Sequence, residues 1–229
     1  ALAILEQAEN AKVRARRTVQ EDNHFSIGFV PSAEVNLLPK VLPLFRLKQP
    51  DTHIELVSLI TTEQEEKILS GELDVGLMRH PVYSPDLDYL ELIHEPLVVV
   101  LPVNHPLANE QAISAEQLHG VNFVSTDPAY SGALAMIVKN WFQQQKSQPN
   151  IVQVATNILV TMNLVGMGLG VTLIPGYMNN FNTGQVVFRP IAGNVPSIAL
   201  LMAWKKGEMK PALRDFIAIV QERLANVTA

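Results

Sequence analysis

The chain has 229 residues, 48% of them apolar and only 17% charged, a formal net charge of −5 and no cysteine. Globular domains carry about 25% charged residues, so this is a folded chain with a large core and a neutral surface, and disorder is excluded. Disulfides and thiolate metal sites are excluded with cysteine, a chain built mainly to hold nucleic acid is disfavoured by the acidic balance, and no run of about 18 apolar residues exists to span a membrane.

Residues 1–20 contain neither glycine nor proline. Ala1, Ile4, Ala8, Ala11, Ala15 and Thr18 recur at spacings of three and four, the seam of a heptad made from small residues. This predicts a helix, packed either on its own domain or against the same helix of a second chain, with Lys12, Arg14, Arg16 and Arg17 leaving it basic. From residue 24 strands and helices alternate. Phe25–Val30 reads as a strand and Leu37–Leu47 as a helix, where Pro39 and Pro43 are tolerable only near the first turns. Ile54–Leu59 is a strand; Thr62 and Glu65 have capping-box spacing ahead of a helix that reaches Leu69 and ends at Gly71. Leu73–Met78 is the next strand, and such short β-α-β units predict a parallel sheet.

A strand at Tyr89–Ile93 is followed by the apolar run Pro96–Val103. Beyond it come a short helix at Ser114–Leu118, a strand at Asn122–Ser125, a helix at Leu134–Gln145, a strand at Ile151–Ala155 and a helix at Ile158–Met167. Trp141 and Phe142, at helical spacing from Val138, read as core. Val171–Ile174, Gln185–Phe188 and Ser197–Trp204 are further strands, and Pro211 opens a last helix with the apolar face Leu213, Phe216, Ile217, Val220 and Leu224. The charges follow this division. Residues 21–95 carry five basic and fourteen acidic side chains, whereas residues 96–204 hold only three of each sign. Two α/β lobes are expected, with the chain crossing near His94-Glu95 and returning near Gly193–Ser197.

In open α/β sheets ligands collect outside the carboxyl ends of the strands. Those ends carry Pro31 and Ser32, then Thr61 and Thr62, then Arg79 and His80, then Ser125, Thr126 and Asp127 through Tyr130 and Ser131. Three of the four lead into helices, whose unpaired N–H groups and dipole favour an anion by about 0.3–1 kcal/mol each. Hydroxyls of Ser32, Thr61 and Thr126 complete such a shell without adding charge, and Arg79 can grip a carboxylate with two hydrogen bonds. Ser32, Thr62 and Ser131 are equally suited to be ordinary N-caps, and Arg79 to pair with an acidic neighbour. Gly166, Gly168 and Gly170 follow a helix and lead into a strand, the reverse of the dinucleotide order, and read as a helix end and tight turn. The six histidines show no metal-binding spacing, and no P-loop or nucleophile elbow occurs, so no metal, no cofactor and no enzymatic activity are expected.

The residues also resemble a family. Phe25-Ser-Ile-Gly-Phe-Val-Pro-Ser32, Leu38-Pro-Lys-Val-Leu-Pro-Leu-Phe45, Gly71-Glu-Leu-Asp-Val-Gly-Leu77, Pro96-Leu97 with Leu101-Pro-Val-Asn-His-Pro-Leu107, and Val165-Gly-Met-Gly-Leu-Gly-Val171 through Pro175 together resemble the effector-binding domain of LysR-type transcriptional regulators. That resemblance covers essentially the whole chain. It implies two Rossmann-like lobes like those of type 2 periplasmic binding proteins, preceded by a linker helix. Residues 1–22 would be the linker and dimerisation helix, 23–94 plus 197–229 lobe I, and 95–196 an inserted lobe II. It further implies a cytoplasmic homotetramer that binds a small effector in the interlobe cleft, and a narrower similarity, to regulators of aromatic-acid catabolism within the family, implies an aromatic carboxylate, 3-phenylpropionate or cinnamate. The effector contacts implied are Pro31, Ser32, Thr61, Arg79, Thr126 and Tyr130; relatives often have glycine or threonine where this chain has Pro31. Such a regulator activates a catabolic operon through promoter DNA held by a winged helix-turn-helix, which is not among these residues. The competing expectation is a periplasmic solute-binding protein for a small organic anion. The chain begins at Ala1, with Glu6 and Glu9 interrupting any signal-like apolar core, which suits either a piece of a longer protein or a chain whose leader was removed.

Overall fold

The computed structural model describes residues 23–131 and 133–225. The helix expected at residues 1–20 lies outside the described residues. The described backbone falls into two compact units. The first takes residues 23–77, Ser84–Tyr89 and residues 202–225; the second takes Met78–Tyr83 and Leu90–Leu201.

In the first unit β1 (His24–Phe29) lies between β2 (His53–Ser58) and β3 (Val75–Arg79), parallel to both. As a central strand it is buried on both faces, with Phe25 and Ile27 fully enclosed, whereas β2 at the edge is largely exposed. Asp74 explains part of the Gly71–Leu77 motif. Its carboxylate accepts from the Ser26 N–H at 2.9 Å and the Ser26 hydroxyl at 3.1 Å, and it pairs with Lys210 at 2.8 Å. Four helices follow the pattern of the apolar residues: α1 (Pro31–Asn36), α2 (Leu38–Lys48), α3 (Thr61–Ser70) and, at the far end of the chain, Pro211–Ala225. The core between them is a trio of rings: Phe25, Phe45 and Phe216 have centroids 5.0–5.4 Å apart.

The second unit is built on β4 (Leu87–Pro102), which pairs antiparallel with β7 (Thr172–Pro175) and β8 (Val186–Arg189). A separate parallel pair, β5 (Asn122–Thr126) and β6 (Asn150–Ala155), carries α4 (Pro128–Ser131), α5 (Leu134–Gln144) and α6 (Ile158–Gly166). The last helix, Pro211–Ala225, is α7. Trp141 and Phe142 are core as expected: the indole N–H donates to the Asn194 carbonyl at 2.7 Å, and Phe142 meets Phe123 edge-on at 5.5 Å. Strand β4 starts in the first unit and continues into the second, and β9 (Ser197–Lys205) starts in the second and ends in the first.

Several sequence expectations need correction. The parallel sheet expected from the first β-α-β units is present as β2-β1-β3, whereas β4, which follows them, runs antiparallel to β7 and β8. The two strands expected on either side of Glu95 are one strand of 16 residues; Pro96 is exposed, where its missing N–H costs nothing. The helix expected at Leu37–Leu47 is α2, with Pro43 inside it, and a short helix that was not expected, α1, precedes it with Pro31 at its first position. Ser114–Leu118 is a series of turns rather than a helix. The residue that caps α3 is Ile60, whose N–H donates to the Glu63 carboxylate at 3.4 Å, and not Thr62 with Glu65. Gly71 does close that helix in the left-handed conformation, with φ 84°. Among the described residues no helix is long and apolar enough to cross a membrane, and no group of three or more potential ligands gathers to hold a metal ion.

Candidate functional site

The six residues expected at a ligand divide between the units. Pro31, Ser32 and Thr61 belong to the first; Arg79, Thr126 and Tyr130 belong to the second.

In the first unit the carboxyl ends of the three parallel strands are bound together by backbone hydrogen bonds. The Leu59 N–H donates to the Phe29 carbonyl at 3.1 Å, and the Val30 N–H to the Leu77 carbonyl at 2.9 Å. Helices α1 and α3 start immediately beyond these bonds, so the first turns of both are anchored to adjacent strand ends. Ser32 is not an N-cap: Val30 holds that position and has no side-chain acceptor. Ser32 is instead fully buried in the first turn, and its hydroxyl has no hydrogen-bond partner among the described residues. A buried hydroxyl left so is costly. Pro31 is exposed beside it, and Thr61, the first residue of α3, is buried. Sequence reasoning missed Gln64, one turn further along α3. It is fully buried, and its amide donates to the Leu59 carbonyl at 2.8 Å and the Leu77 carbonyl at 3.4 Å. Nothing in the polar run Thr61–Lys67 distinguishes it from its neighbours.

In the second unit Arg79 is the last residue of β3 rather than a residue beyond it. Its buried guanidinium is ion-paired with the buried carboxylate of Glu95 on β4. The hydroxyl of Tyr177 shares the same place. Burial pushes its pKa up to about 12, the Glu95 charge adds to this, and the charge and hydrogen bond of Arg79 oppose it. The acidic neighbour anticipated for Arg79 is therefore present, and the positive charge is already matched. Thr126 closes β5 and is buried, while Tyr130 on α4 is 55% exposed. Asp127 fixes the turn between them: its carboxylate accepts from the Ala129 N–H at 2.9 Å. Ser131 is not a cap either. It ends α4, with its hydroxyl buried and without a hydrogen-bond partner among the described residues.

Each unit thus holds one buried hydroxyl without a hydrogen-bond partner among the described residues, Ser32 in the first and Ser131 in the second. Comparison with known proteins gives the class. The model of the LysR substrate binding domain matches residues 19–225, and the chain belongs to this family: it is the effector-binding domain of a LysR-type transcriptional regulator. It is 86% identical over 229 residues to the Hca operon transcriptional activator HcaR of Escherichia coli (strain K12), covering 100% of this chain and 77% of that protein. The fold matches the BenM effector binding domain solved with its effector benzoate, with a TM-score of 0.80 at 22% identity, covering 90% of this chain and 93% of that one. It also matches full-length CbnR complexed with its target DNA, with a TM-score of 0.78 at 20% identity over 96% of this chain and 78% of that one. The fold is thus the one shared with type 2 periplasmic binding proteins, and the relatives are regulators of transcription, neither enzymes nor transport receptors.

Proposed function

We propose that this domain senses a small aromatic carboxylate of the 3-phenylpropionate or cinnamate kind, and that the regulator so controlled activates a catabolic operon like the one for which HcaR is named. The effector contacts in this reading are Pro31, Ser32 and Thr61 of the first unit and Thr126 and Tyr130 of the second, with Arg79 behind them, its charge shared with Glu95. The observation that carries it is the buried, unpartnered hydroxyl of Ser32 in the first turn of α1. A neutral donor at a helix start suits a carboxylate and adds no competing charge. A hydrogen bond of this kind contributes about 0.5–1.5 kcal/mol net. Ser32→Ala is accordingly expected to weaken 3-phenylpropionate binding roughly 3- to 10-fold in calorimetry. Equal affinity in wild type, Ser32→Ala and Thr61→Val would remove these contacts from the site.

The same reading places the protein in the cytoplasm, acting on promoter DNA through a helix-turn-helix module and self-associating as a dimer or tetramer. Lobe I of this reading (23–94 plus 197–229) corresponds to the first unit and lobe II (95–196) to the second, apart from residues 78–83, 90–94 and 197–201, which cluster with the second. Self-association is supported by β6, an edge strand with five of its six residues exposed, among them Ile151, Val152 and Val154; Leu159 and Val160 of α6 are exposed as well. An open apolar edge of this kind pairs with another chain unless it is covered. Ile151→Glu, a surface change expected to alter stability by no more than about 0.5 kcal/mol, should shift the sedimentation profile toward the monomer. A wild-type protein that is monomeric at every concentration sinks this part of the proposal.

A further inference from the structure

Helix α3 is polar along its first two turns, Thr61-Thr62-Glu63-Gln64-Glu65-Glu66-Lys67, yet Gln64 and Glu65 are both buried. Taken out of water, polar groups need partners, and the Gln64 amide N–H2 and the Glu65 carboxylate each meet backbone groups. The Gln64 amide donates to the Leu77 carbonyl at 3.4 Å as well as to Leu59 at 2.8 Å, and the Glu65 carboxylate accepts from the Ser84 N–H at 3.2 Å. Leu77 and Ser84 flank residues 78–83, the stretch in which the chain leaves the first unit and becomes part of the second. Two consecutive residues of one helix therefore grip both ends of the crossover. The space for Gln64 is reserved by Gly28, where a Cβ would stand 3.0 Å from the Gln64 Cγ and 3.1 Å from its Oε1.

Within the second unit the same stretch is tied along its length. Arg79 is paired with Glu95, the His80 Nε2 lies 2.8 Å from the Glu91 carboxylate, and the His80 carbonyl accepts from the Ala133 N–H at 3.1 Å, just ahead of α5. A helix is stiff over one turn, so a displacement of the first turn of α3 carries Gln64 and Glu65 with it, and Leu77 and Ser84 follow. Coupling between sites travels through rigid elements and hydrogen-bond networks of this kind.

We propose that Gln64 and Glu65 are positioning residues that pass the state of the first turn of α3 to the crossover 78–83, so that effector contact at Thr61 is registered where the chain enters the second unit. The inference rests on the effector reading given above. It is tested by hydrogen–deuterium exchange on the full 229-residue chain, with 3-phenylpropionate as the probe and calorimetry on the same samples. In the wild type the probe is expected to slow exchange across 78–84 about tenfold. Gln64→Leu and Glu65→Leu are expected to bind the probe with wild-type affinity and to lose that slowing, and Glu65→Gln, which keeps an oxygen for the Ser84 N–H, to retain it. If Glu65→Leu does not fold, Ser84→Pro removes the same hydrogen bond from the other side. Slowing that survives in Gln64→Leu and Glu65→Leu, or that is missing from a wild type that binds, overturns the coupling alone. So does an affinity loss in the variants that matches the lost slowing, since the two residues then act on binding itself. A wild type that gives no heat with the probe overturns the effector reading and the coupling together.

Discussion

Replacing Arg79 by alanine is expected to lower the free energy of unfolding by about 3–5 kcal/mol, because it leaves the carboxylate of Glu95 buried with its cation removed. The two side chains are only 9% and 6% exposed, so solvent cannot take over the role of the guanidinium. The Tyr177 hydroxyl, itself held in its neutral form by burial, loses a hydrogen-bond donor in the same variant. The paired substitution Arg79→Met with Glu95→Leu removes both charges and keeps the volume, and buried pairs so replaced are commonly neutral or better in stability. Urea unfolding of the single and double variants decides the matter: a loss under about 1 kcal/mol in Arg79→Ala would mean that the pair is not desolvated as described. The double variant has a second use. Effector affinity lost in Arg79→Ala but regained in Arg79→Met/Glu95→Leu is a stability effect, whereas affinity lost in both belongs to the guanidinium itself.

Gly170→Ala is expected to destabilise the second unit by about 1–3 kcal/mol or more. A Cβ at this position would lie 2.4 Å from the Asn122 carbonyl oxygen and 2.7 Å from its carbon, distances that only a backbone shift can relieve. The shift would pull on the hydrogen bonds that run both ways between the segments, Val171 N–H to the Asn122 carbonyl at 2.8 Å and Val124 N–H to the Val171 carbonyl at 2.9 Å. Gly168, two residues earlier, is different. It has φ +86° and nothing within 4 Å of its Cβ direction, so alanine there meets a conformational penalty but no collision. Thermal melts of the two variants side by side separate crowding from backbone preference, and a Gly170→Ala protein with the wild-type melting temperature would contradict the packing of this turn onto β5.

The three glycines also show where sequence reading stops. Their spacing after a helix was enough to place a helix end and a turn, since that follows from local backbone preference. That Gly170 presses on Asn122, 48 residues away, follows from tertiary packing and leaves no local mark. The same boundary runs through the rest of the chain. Strands β1, β2 and β6 and the amphipathic helices α5, α6 and α7 were legible because apolar periodicity is a local property. The strand at Tyr89–Ile93 and the apolar run from Pro96 read as separate pieces in the sequence; the structure joins them into one strand with Pro96 exposed within it. Ser32 and Thr61 were found because strand ends that lead into helices can be recognised one at a time. Gln64 was not, because its burial depends on Leu77 and Leu59, and the partner of Arg79 was foreseen only as a possibility, since Glu95 lies on another strand.

The ring trio has a consequence for synthesis. Phe25 and Phe45 leave the ribosome early, but Phe216, which fills the space between them, is made about 170 residues later. At a translation rate of roughly 5–20 residues per second, Phe216 follows Phe45 by on the order of 10–30 seconds, an interval in which residues 90–201 of the second unit are synthesised. The aromatic core of the first unit can therefore be completed only after the residues of the second unit have been made.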